Sequence, residues 1–312
     1  MMVCPTEGDV KGTGERASLC KEISMKEPKE KHAMKYGLVL PLSGIEGDVE
    51  QLVEYAHIAE EEGWEGVFLE DYIIYWGAQG VTYDPWLTLT AMALRTQRVH
   101  LGTTVTPLPS RLPWKLAREA ITLDHLSHGR LILGVGLGDA QDRHFGEVAD
   151  VKQRARMLDE GLDLLAGLMS GRPFSYQGTH YQVHDVTFWP GPVQKPRIPI
   201  WLGGFWPRKA PALRAARWDG FCPAKVPDEH GDGYIKPADI RAIKAFIEAH
   251  RSSSAPFDLA AGGHSPGDDP VKARAHVESY IEAGATWWIE FVLPEPGEGD
   301  QALTRIKEGP PK

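Results

Sequence analysis

Arg111–Asp139 reads RLPWKLAREAITLDHLSHGRLILGVGLGD, and this stretch decides the fold. An amphipathic helix from Pro113 to His125 runs into a tight Ser127-His128-Gly129 turn, and a short apolar strand, Leu131 to Val135, follows at once. The strand opens into Gly134-Val135-Gly136-Leu137-Gly138 and then Asp139. A helix, a turn and a continuously apolar strand form the repeating unit of a parallel sheet buried on both faces. A strand whose carboxyl end is opened by glycines is where such a sheet receives a phosphate-bearing ligand.

The same unit recurs on both sides. Tyr36–Leu40 is a buried strand ending at Pro41, and Asp48 caps a helix through Glu62 that stops at Gly63. Gly66–Glu70 is the second strand, 72–83 an aromatic loop, and Asp84-Pro85 opens a helix to Arg95. Val99–Thr103 is the third strand and Leu131–Val135 the fourth. A helix over Val151–Met169 presents Leu158, Leu162, Leu165 and Met169 on one face. Arg172–Arg197 is a proline-, glycine- and aromatic-rich excursion that predicts a small hairpin outside the main sheet. Strands are predicted at Ile198–Leu202, Gly220–Pro223, Phe257–Ala261 and Trp287–Val292, with helices at Pro207–Arg217, Ala238–His250, Val271–Ala283 and 300–307. About eight strand–helix units predict an α/β fold, a closed (β/α)8 TIM barrel with a hairpin inserted between the fourth and fifth strands. A doubly wound open sheet has the same periodicity. The expected organisation is a disordered tail over 1–33 and a single barrel domain over 34–312, with Met34 as an alternative start.

The 312 residues carry 34 basic and 43 acidic side chains, a net charge of −9, which argues against a nucleic-acid partner. No apolar run approaches a membrane span, and the N-terminal stretch has no apolar core of a secretory signal. Cys4, Cys20 and Cys222 form no framework, which points to a reducing cytoplasm.

In a barrel the chemistry lies at the carboxyl ends of the strands. Those ends carry Leu40-Pro41, Glu70-Asp71-Tyr72, Thr103-Thr104-Val105, Gly136-Leu137-Gly138-Asp139, Gly203-Gly204-Phe205, Cys222, Gly262-Gly263-His264 and Phe291. Glycines at two of these ends let backbone N–H groups approach a ligand, and the helix after Gly204 offers its N-terminal dipole. A dinucleotide fingerprint would need glycine where Asp139 stands. No metal-ligand constellation and no G-x-S-x-G elbow is present, so no metal is expected. Tyr75, Trp76 and Trp206 fall in predicted loops at this rim and suit a planar or apolar ligand.

The stretch SRLPWKLAREAITLDHLSHGRLILGVGLG resembles the luciferase-like flavin-dependent oxidoreductases. YGLVLP at 36–41, GWEGVFLEDY at 63–72, RVHLGTTVTP at 98–107, QKPRIPIWLGG at 194–204 and RAARWDGF at 214–221 extend the resemblance over about residues 34–295. It implies a TIM barrel holding FMN or a deazaflavin in its mouth. It further implies Thr104-Val105 at a non-prolyl cis peptide behind the ring. Leu40, Pro41, Gly136, Gly138 and Asp139 would line the cofactor, and Gly203, Gly204 and Phe205 would approach its phosphate. Asp71 matches an acidic residue. Tyr72 stands where deazaflavin members commonly carry histidine, and Leu137 where luciferase itself carries arginine.

The expected activity is a monooxygenase using reduced FMN and O₂ on a small organic substrate, with Asp71, Tyr72 and His144 as candidate catalytic residues. The flavin would come from a separate reductase, and the family implies a homodimer. The alternative is a deazaflavin (coenzyme F420)-dependent hydride-transfer oxidoreductase, served by a deazaflavin reductase. A non-catalytic flavin-binding protein is the third reading, and completeness of the barrel discriminates against it. The excursion and the loop after the second strand are expected to choose the substrate.

Overall fold

The computed structural model describes residues 34–40, 42, 49–73, 82–138, 145–226, 233–267, 269–292 and 299–312. The predicted tail, the Asp48 cap and the Tyr75–Trp76 pair lie outside them. Eight parallel strands close on themselves: β1 (Lys35–Leu40), β2 (Gly66–Leu69), β3 (His100–Thr103), β5 (Leu131–Gly136), β8 (Ile200–Trp206), β9 (Gly220–Lys225), β10 (Asp258–Gly263) and β11 (Trp287–Phe291). Pairing of β1 with β11 and of β3 with β5 completes the ring, so the sheet is a closed (β/α)8 barrel rather than an open one. A two-residue strand β4 (Thr106–Pro107), absent from the sequence reading, continues the wall beside β5.

The helices are α1 (Val49–Glu61), α2 (Pro85–Arg95), α3 (Pro113–Leu126), α4 (Val151–Leu168), α5 (Lys209–Ala215), α6 (Pro237–His250), α7 (Pro270–Ala283) and α8 (Gly299–Lys307). Their starts follow local chemistry. Asp84, Asp150 and Asp269 accept backbone N–H groups at the starts of α2, α4 and α7. Proline opens α2, α3, α6 and α7, where its missing N–H costs nothing.

Side chains alternate across each strand. One set, including Val39, Phe68, Ile132, Trp201, Ala260, Trp287 and Ile289, fills the barrel interior. Phe68 stacks on Trp201 with ring centres 5.5 Å apart, and Trp287 meets both rings edge-on. The other set packs outward against the helices as the larger core. This parity decides which strand-end residues reach the mouth.

The insertion is a two-stranded antiparallel hairpin, β6 (Phe174–Gln177) and β7 (Gln182–Val186). Glu160 of α4 accepts N–H groups of Thr179, His180 and Tyr181 at 3.0, 2.8 and 3.1 Å. Asp124 of α3 accepts N–H groups of Val193 and Gln194, and Trp114 meets Tyr181 edge-on. These anchors tie the excursion to α3 and α4, and Gln194 Nε2 donates to the Leu131 carbonyl at the start of β5.

Candidate active site

The mouth is built from the inward-facing residues beyond the aromatic plug. Backbone crowding gives it a floor. The Thr104–Val105 peptide is cis, and Val105 lies against the glycines of two neighbouring strands. A Cβ at Gly136 would stand 2.5 Å from Val105 Cγ2, and one at Gly203 2.9 Å from both Val105 methyls. A Cβ at Gly134 would stand 1.9 Å from the Thr103 carbonyl oxygen. The glycines are thus required by close packing, whatever the ligand.

The fifth predicted strand runs further than its glycines suggest. Gly203, Gly204 and Phe205 pair with Cys222, Pro223 and Ala224 inside β8 rather than following it as a loop. Gly204 faces outward, where a Cβ would lie 2.3 Å from Pro211. Helix α5 then begins only at Lys209. Trp206 also faces outward, with Lys209 Nζ 3.7 Å above its ring, and does not line the mouth.

Parity separates the two carboxylates at the end of β2. Asp71 points outward with a side chain 2 % exposed. Its Oδ2 accepts from Trp86 Nε1 at 3.2 Å and Thr106 Oγ1 at 2.7 Å, while Oδ1 pairs with Arg111 Nη2 at 2.7 Å. It ties the ends of β2 and β4 to α2. Asp71→Ala is expected to cost about 2–4 kcal/mol, because two buried donors lose a charged acceptor. Urea denaturation measures this, and a loss below ~1 kcal/mol would show that the network does not hold the wall.

Glu70 falls between inward Phe68 and outward Asp71 and so faces the mouth. It is partly buried and has no hydrogen-bond or ion-pair partner among the described residues. Burial alone pushes its carboxyl up to about 7. The register Leu69↔Thr103 sets it beside Thr104, whose Oγ1 is buried with no partner. The sequence reading passed Glu70 over for its neighbour.

Across the mouth, Tyr234, His264 and Phe291 form an aromatic wall, with ring centres 5.6–6.0 Å apart. His264 is exposed at the end of β10. Tyr234, from the segment before α6, gave no sequence signal. Phe205 is inward and 41 % exposed. Cys222 is inward as well; burial, then the charge of Asp258, raises its thiol, so no thiolate is offered there. Among the described residues no group of three metal-ligating side chains occurs. No helix among them is long and apolar enough to cross a membrane.

The remaining expected site residues divide by position. Leu40 is fully buried and outward, against the helices, so Val39 and not Leu40 faces the interior. Tyr72 is partly buried. Gly138 has a φ of 76°, and the carbonyl of Leu137 before it accepts from buried Arg154 at 2.7 Å. Pro41, Asp139 and His144 lie outside the described residues.

A family model described as luciferase-like monooxygenase matches residues 32–308. An F420-dependent glucose-6-phosphate dehydrogenase of Microbacterium testaceum is 35% identical over 163 residues, 50% of this chain and 47% of the relative. The chain thus spans about half the length of the curated relatives it first matches. An F420-dependent hydroxymycolic acid dehydrogenase of Mycobacterium tuberculosis is 25% identical over 281 residues, 88% of this chain and 70% of the relative. A solved F420-dependent secondary alcohol dehydrogenase shares the fold, with a TM-score of 0.74 at 16% identity, over 89% of this chain and 98% of that one.

Proposed function

This chain belongs to the luciferase-like monooxygenase family, and within that family of oxidoreductases we propose that it is a deazaflavin-dependent enzyme moving a hydride to or from a hydroxyl-bearing substrate. The observation that carries this reading is the similarity to F420-dependent dehydrogenases, both strongly over half the chain and more weakly over most of it. Both relatives are named as dehydrogenases, one of them of a hydroxymycolic acid.

The mouth fits a planar cofactor. Thr104 Oγ1 is a buried hydroxyl still lacking a partner, beside a floor of Val105, Gly136 and Gly203 that leaves no side chain standing above it. Thr104, Val105, Gly136 and Gly138 would hold the ring. When bound, a deazaflavin supplies a two-electron hydride acceptor or donor. The chain's own contribution is position and environment. Asp71, with Trp86, Thr106 and Arg111, fixes the ends of β2 and β4 against α2. The aromatic wall of Tyr234, His264 and Phe291 would offer ring faces to a planar or apolar ligand.

The family description favours a second reading, reduced FMN with O₂. Fluorescence titration of the protein with oxidised F420 and with reduced FMN separates the two. Binding of F420 with a Kd of about micromolar is expected, worth roughly 8 kcal/mol. Binding of reduced FMN alone, with oxygen uptake, would establish the monooxygenase instead, and binding of neither would defeat the cofactor assignment.

A further inference from the structure

We propose that Glu70 is the proton-transferring residue of the reaction, taking the hydroxyl proton of the substrate as its carbon gives up hydride and returning it in reverse. The proposal rests on the deazaflavin reading above. In the oxidative direction the O–H bond breaks toward the Glu70 carboxylate, which becomes the neutral acid. The electron pair of the adjacent C–H bond leaves as hydride to the oxidised deazaflavin, and the carbon–oxygen bond becomes a carbonyl. Glu70 then releases its proton to water. Carbonyl reduction runs the same path backwards.

Three features of the mouth carry this. Strand parity turns Glu70 inward and the adjacent Asp71 outward, where Asp71 is fully engaged. Glu70 has no partner among the described residues to hold it in one protonation state. Beside it, just past the end of β3, stands Thr104, which carries no charge. The ion pair of Asp71 with Arg111 lies on the far side of the wall. Burial alone therefore sets its affinity for protons, near 7, where a carboxyl serves as acid and base with equal ease. Tyr72, which stands where deazaflavin members commonly place a histidine, leaves that task open. The exposed His264 across the mouth is the rival.

Infrared pH-difference spectra of the protein without cofactor test the proton-holding role directly. One protonated-carboxyl band is expected to disappear with a midpoint near 7, and to be missing in Glu70→Gln. Linkage gives a second structural readout. The folded pKa is raised above the unfolded value, so the stabilisation from Glu70 is complete below about 4.5 and lost as pH rises through about 7. Glu70→Gln is expected to flatten the fall in Tm across that window.

With bound F420 and secondary alcohols from propan-2-ol to heptan-2-ol, Glu70→Gln is expected to bind cofactor as the wild type does. Its kcat should be about 10²–10⁴-fold lower, with the inflection near neutrality gone. Glu70→Asp should restore part of the rate. The proposal is overturned if the band is absent or persists in Glu70→Gln, if the pH inflection follows His264→Ala instead, or if the wild type turns over no secondary alcohol. Failure of F420 to bind either protein defeats the underlying reading, and is told apart because the infrared band requires no cofactor.

Discussion

Arg130→Met is expected to lower the free energy of unfolding by about 3–5 kcal/mol, against a total of about 5–15 kcal/mol for a typical domain. Arg130 is 7 % exposed and makes five hydrogen bonds. Nε donates to the Ser127 carbonyl at 2.6 Å, and Nη1 to Thr96 Oγ1 and the Val99 carbonyl at 2.9 Å. Nη2 donates to the carbonyls of Ala93 and Thr96 at 2.9 and 3.0 Å. One guanidinium thus closes the C-terminus of α2, the end of α3 and the approach to β3. Methionine fills much of the volume and satisfies none of these acceptors. Lysine keeps the charge without the planar fork and should recover less than half of the loss. Equilibrium denaturation of the three proteins tests this. A methionine variant within ~1 kcal/mol of wild type would mean that water replaces the guanidinium.

Gly134→Ala is the second large effect. Its Cβ would meet the Thr103 carbonyl oxygen at 1.9 Å and the Thr103 carbonyl carbon at 3.0 Å, both backbone. No rotamer relieves that contact, so β3 and β5 must separate, at a cost of at least about 3 kcal/mol. Any folded fraction should have a displaced Thr103–Val105 segment and bind the cofactor at least ~10-fold more weakly. Gly136→Ala makes the contrast. Its clash is with Val105 Cγ2, a side-chain methyl, and Val105→Ala in the same chain removes it. The double variant Gly136→Ala/Val105→Ala should regain stability, whereas Gly134→Ala/Val105→Ala should not. Thermal melts and cofactor titration of the four proteins read the difference, and equal rescue of both pairs would refute the backbone origin of the effect.

Much of the frame was legible in the sequence because each strand is a short apolar run and several helices open on an aspartate cap or a proline. Asp84-Pro85 caps where its chemistry predicts. Legibility ended where both faces of a strand are apolar. Such a strand states its length but not which residues face in, so Glu70 and Asp71 were indistinguishable until the barrel closed around Phe68. Gly203 and Gly204 were read as a strand end because glycine usually punctuates, yet here it makes room for Val105 and Pro211 within a strand. The wall of Tyr234, His264 and Phe291 joins three distant segments, and no local pattern announces such a meeting.

The hairpin has one more consequence. β5 and β8 are hydrogen-bonded neighbours, with Leu133 opposite Ile200 and Val135 opposite Leu202, so the wall is continuous beneath the inserted segment. A detour between adjacent staves can lengthen or shorten at about 0.6 kcal/mol per doubling without moving either stave. The inserted segment can therefore grow or shrink while the two staves it joins keep their register.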